Sequence, residues 1–112
     1  MQKTYHKLVR DRIPELLQQD GCTYRVEILD EQEFQQALRE KVLEEAREVV
    51  EADTGELVNE LADLYEVLDT LMQQHKISPA EVRTRQAERS QTRGGFARRI
   101  HLLEVLRIEA ES

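Results

Sequence analysis

With 112 residues, 39% of them hydrophobic, the chain has room for one domain and a modest core, and 23 acids against 16 lysines and arginines give a net charge of −7. That composition is lean for a lone globule, so a homo-oligomer is expected, and the single cysteine, Cys22, excludes an internal disulfide and fits a reducing cytoplasm. No apolar run approaches membrane-spanning length and the opening residues lack an apolar h-region, so neither a membrane span nor a secretory leader is expected.

In chain order, residues 1–12 read as extended or irregular, with Tyr5, Leu8 and Val9 as anchors. Pro14 suits the first turn of a short helix over 14–19, stopped by Asp20-Gly21. Residues 23–28 alternate and favour a short strand. Asp30 is a plausible N-cap, with Glu33 completing a capping box, and a long helix follows over 31–52. A break at Asp53-Thr54-Gly55 precedes a second long helix to about residue 74, capped by Asp53 or Thr54. Ser78-Pro79 starts a third over 79–92, and Gly94-Gly95 ends it. Residues 96–102 could form a second strand pairing with 23–28 as an accessory ribbon; the tail from Leu103 to Ser112 is open between a short helix and a frayed end. Residues 1–112 therefore read as one domain, all-α apart from that ribbon.

Charge is segregated along this order. Fifteen acids crowd residues 27–69 against Arg39, Lys41 and Arg47, while 1–12 and 76–99 are basic. Duplex nucleic acid wants one extended basic face, so it is a poor partner. A small polyanion bridged by metal suits the pattern better, with cations on the acids and phosphates on the arginines.

Two acidic pairs sharpen this reading. Glu45 with Glu48, and Glu60 with Asp63, each have the i,i+3 spacing that makes helix residues surface neighbours. On the first long helix Phe34, Leu38, Val42, Ala46 and Val49 form the apolar stripe, and Glu45 projects between Phe34 and Leu38. On the second the stripe is Leu57, Leu61, Leu64, Val67, Leu68 and Leu71, and Glu60 projects between Val67 and Leu71. Glu48 and Asp63 each lie about 60° to the same side. Glu40, Glu44, Arg47 and Glu51 point away from the core. An ionised carboxylate aimed at a core is costly unless paired or bound to metal. If the chain reverses at the break, the four acids can enclose a hard cation. Oxygen donors select Mg²⁺, Mn²⁺ or Ca²⁺ over zinc, and Mg²⁺ keeps open positions for water and phosphate.

Residues 44–48, EEARE, followed by 60–63, ELAD, resemble the EExxE…ExxD signature of the all-α, MazG-like NTP pyrophosphohydrolase superfamily. The stretches KLVRDRIP at 7–14 and RGGF at 93–96 resemble its small single-domain house-cleaning branch. Members of the superfamily include phosphoribosyl-ATP pyrophosphohydrolases and dimeric dUTP pyrophosphatases. The resemblance implies a helical bundle that dimerises or tetramerises. It implies Mg²⁺ ligation by Glu45, Glu48, Glu60 and Asp63, with Glu44 as the first acid of its motif. It implies α–β cleavage of a nucleoside triphosphate to monophosphate and pyrophosphate. The alternatives are hydrolysis of phosphoribosyl-ATP in histidine biosynthesis, and a non-catalytic nucleotide-sensing or interaction module.

Several residues keep two readings. Lys41 can pair with Glu45 or reach a phosphate; Lys7, Arg10 and Arg12 are phosphate contacts or surface ion pairs. Arg93 with Gly94-Gly95 is a phosphate approach or a plain helix end. Glu66 and Asp69 read as solvated or supporting acids, His6, His75 and His101 lack ligand spacing, and Tyr65 and Phe96 are core residues by default, with stacking on a base as the alternative.

Overall fold

Four helices follow one another in the computed structural model, which describes residues 5–107: α1 (Ile13–Gln19), α2 (Glu31–Glu51), α3 (Leu57–Gln74) and α4 (Pro79–Arg93). The chain forms two compact units, one running to Pro79 and one from Ala80.

In the first unit most helix ends have a local chemical cause. Pro14 sits in the first turn of α1. Gly21, at φ +80°, ends that helix: its N–H donates to the Gln18 carbonyl and the Cys22 N–H to that of Leu17. This is a Schellman closure, which needs a left-handed residue. The capping box expected at α2 is formed: the Glu33 N–H donates to Asp30 Oδ1 at 2.8 Å, and the Asp30 N–H to Glu33 Oε1 at 3.3 Å. Ala52 turns extended after α2, and Asp53 Oδ1 accepts from the Glu56 N–H at 2.9 Å. Asp53 thus supports the turn before α3 rather than acting as its N-cap, which is Glu56. The far end of α3 repeats the Schellman geometry with Lys76, at φ 56°, in the glycine position.

With only residues 52–56 between them, α2 and α3 pack together as a helical hairpin. The apolar stripes face each other except at Leu61, which is 39% exposed at the edge of the α3 stripe. Leu38 is 2% exposed and Val67 8%, and Phe34, Val42, Ala46, Val49, Leu64, Leu68 and Leu71 are half-buried around them. Leu8 is half-buried, whereas Tyr5 and Val9, also expected as anchors, are exposed.

The second unit holds α4, which ends on Arg93, with Gly94 at φ +82°. No α4 residue is buried.

The accessory ribbon does not form. No strand occurs among the described residues; 22–30 and 100–107 have no regular secondary structure, and Phe96 sits in a turn. An isolated two-stranded ribbon is marginal in water, and Ile28, 94% exposed, shows that 23–28 lack an apolar cover. Tyr65 and Phe96 are likewise exposed rather than in the core. Residues 103–107 of the tail are not helical, and the rest of it lies outside the described residues.

Candidate active site

The α2–α3 hairpin brings the two acidic pairs together. Each of Glu45, Glu48, Glu60 and Asp63 offers a carboxylate oxygen, and the four lie within 4.8 Å of one another. Spacing of three places both acids of a pair on one face of their helix, and the tight turn at 52–56 sets the faces opposite.

Depth differs around the cluster. Glu45 is buried, Glu60 and Asp63 are half-buried, and Glu48 is exposed. Two oxygens, Glu45 Oε2 and Glu60 Oε2, are buried without a hydrogen-bond partner. These are the two acids whose helical phase puts them inside the apolar stripes. A buried carboxylate oxygen with no donor is expensive in a low-dielectric surrounding. The Glu45 carboxyl is accordingly pushed above its ordinary range, first by burial and then by the neighbouring Glu48 carboxylate, with Lys41 pulling the other way.

The donor set fits a hard divalent cation. All four donors are carboxylate oxygens, Glu45 and Glu60 each bury an oxygen without a hydrogen-bond partner, and the four carboxylates outnumber the cations paired with them, Lys41 and Arg10.

Basic residues surround the acids unequally. Lys41 Nζ, largely buried, stands 3.1 Å from Glu44 Oε2 and 3.5 Å from Glu45 Oε1. Lys7 Nζ stands 3.7 Å from Glu44 Oε1. Glu44 is therefore outside the four-acid group and serves as the shared partner of two lysines. Arg10 Nη2 donates to Asp63 Oδ1 at 2.8 Å, and its Nη1 stands 3.8 Å from Glu66 Oε1. Arg12 pairs with Glu15 at 3.1 Å. Arg93 closes α4 in the second unit. Asp69, His6, His75 and His101 are exposed.

No periodicity links an irregular segment to a helix, so the pairing of Arg10 with Asp63, 53 residues apart, is not legible from residue order. The only available signal was the basic run at 7–12 in an otherwise acidic half.

A family model described as phosphoribosyl-ATP pyrophosphohydrolase matches residues 3–90. That span covers both acidic pairs, Lys41, and the basic residues of the N-terminal segment. No curated protein and no solved structure matches the chain.

Proposed function

The chain belongs to the phosphoribosyl-ATP pyrophosphohydrolase family, and on that premise we propose that it hydrolyses a nucleoside triphosphate between the α and β phosphates, giving monophosphate and pyrophosphate, with Mg²⁺ held by Glu45, Glu48, Glu60 and Asp63. Mn²⁺ is an acceptable substitute on the same donors. The observation that carries this reading is the convergence of four carboxylates with two buried oxygens unpartnered. When bound, the metal supplies charge neutralisation and polarises the phosphoryl oxygens.

The chain's own residues divide the remaining work. The four acids fix the cation against the hairpin, and one of them takes the proton from the attacking water. Lys41, Lys7, Arg10 and Arg12 are the proposed partners of the phosphates, stabilising charge on the leaving pyrophosphate. Lys41 also holds Glu44 and Glu45 in place. The connection at 52–56 leaves little chain for a base-specific pocket, which supports a house-cleaning role on non-standard nucleotides. The description of the matched family favours a second substrate, phosphoribosyl-ATP, on the same metal logic. We place the reaction in the cytoplasm, in a homodimer or homotetramer in which residues 1–112 act as one functional domain. No described helix is long and apolar enough to cross a membrane.

The test is direct. The protein is incubated with Mg²⁺ and a panel of standard, damaged and phosphoribosyl-bearing nucleotides, and pyrophosphate and orthophosphate are measured. Pyrophosphate should be the first product, and Glu45→Gln and Glu60→Gln should each lower its rate at least about 100-fold, beyond what a supporting residue costs. Orthophosphate as first product rejects α–β cleavage. Turnover confined to phosphoribosyl-ATP selects the second substrate. Tight metal-dependent nucleotide binding without turnover rejects the hydrolytic reading in favour of a sensor.

A further inference from the structure

The four acids have an arginine on one of their members. Arg10 belongs to the irregular segment before α1, yet its guanidinium donates to Asp63 on α3 at 2.8 Å. Three residues earlier, Lys7 reaches Glu44 on α2. The segment thus lays one cation against each helix of the acidic hairpin.

The two contacts differ in kind from that of Lys41. The Lys41 side chain is 15% exposed and fixed within one helix. The Arg10 and Asp63 side chains are 55% and 42% exposed, and Arg10 reaches Glu66 only at 3.8 Å. A half-exposed ion pair of this sort is weakly held and screened by solvent, so it is easily exchanged. Asp63 is also one of the acids whose oxygens converge. A guanidinium and a divalent cation therefore draw on the same carboxylate. Once released, that guanidinium stands beside the cluster with a planar fork of donors, which matches a phosphate.

We propose that Arg10 is an exchangeable counter-ion of the site: it pairs with Asp63 while the acids are unmetallated, and is handed to the substrate polyphosphate when a divalent cation takes Asp63. The inference rests on the metal site proposed above, and gives the N-terminal segment a part in ordering metal before nucleotide.

The exchange has a signature that a structural role lacks, because it moves two binding constants in opposite directions. Binding of Mn²⁺ alone is measured by titration calorimetry, then binding of α,β-methylene ATP at saturating Mn²⁺. In Arg10→Gln, Mn²⁺ should bind about two- to five-fold more tightly, since a weak competitor is gone. The nucleotide should bind about ten-fold or more weakly, the loss expected for a charge-assisted phosphate contact. Arg10→Lys keeps the charge and loses the fork, so Mn²⁺ should bind as in wild type and the nucleotide more weakly than in wild type but more tightly than in Arg10→Gln. Parallel loss of both constants in Arg10→Gln, or a change in only one, overturns the exchange. The metal reading has its own control: wild type must bind Mn²⁺ and Glu60→Gln must not. If wild type fails to bind, the site itself is misassigned and the exchange falls with it; if wild type binds and Glu60→Gln does not, the Arg10 variants alone decide.

Discussion

Glu45 is where sequence and environment are most at odds. It is 7% exposed, one of its oxygens has no partner, and a second carboxylate stands beside it. Its carboxyl is raised above 4.5 in the folded chain, so between 4.5 and that raised value the folded protein holds a proton that the unfolded protein has released. Stability without metal should therefore fall as pH rises through this window, opposite to the usual behaviour of a salt-bridged carboxylate. Thermal unfolding in EDTA across this range should show the fall, and added Mg²⁺ should reverse it by favouring the ionised form. Glu45→Gln removes the titration. It should flatten the profile and stabilise the metal-free protein at neutral pH by about 1 kcal/mol, since an unsatisfied charge is replaced by a neutral amide. An unchanged profile in this variant would mean that Glu45 is not the group responsible.

At the scale of the element, local chemistry explains most helix ends, and one end carries strain. Asp30 and Glu33 cap α2 reciprocally. Asp30→Ala should cost about 1 kcal/mol in urea denaturation, the ordinary worth of an N-cap. Lys76 occupies the left-handed position after α3, where a side chain is unfavourable. Lys76→Gly should stabilise by about 0.5–1 kcal/mol, because relief of strain exceeds the added freedom of the unfolded chain. A destabilised Lys76→Gly would show that the lysine side chain contributes contacts that outweigh its backbone strain. The two acidic helices were legible because 3.6-residue periodicity is a property of adjacent residues. The expected ribbon does not form because alternation in 23–28 signals only a capacity to pair, and pairing needs a partner and a cover.

At the scale of the whole molecule, the apolar core is thin. Among the described residues only Leu38 and Val67 are buried hydrophobics, while Leu43, Val50, Val58 and Tyr65 of the hairpin are more than half exposed. The proposed self-association would cover such residues, so light scattering should give a dimer or tetramer mass, and the unfolding midpoint should fall on dilution. A monomer mass with a dilution-independent midpoint would count against assembly. Metal acts on the same equilibrium: at about 100 times its dissociation constant, Mg²⁺ should add about 2.7 kcal/mol to stability, and Glu60→Gln should lose that increment.

Order along the chain determined the helices, their apolar faces, and the position of Glu45 and Glu60 inside those faces, since all of these follow from spacing within a few residues. It also supplied the motifs that resemble the superfamily, and the family match over residues 3–90 agrees with them. Tertiary structure alone decided that Arg10 meets Asp63, that Glu44 is held by Lys7 and Lys41 instead of joining the four acids, and that Tyr65 and Phe96 stay in contact with solvent. Each of those outcomes depends on which surfaces remain free after the hairpin closes, and residues distant in sequence have no periodic relation from which that can be read.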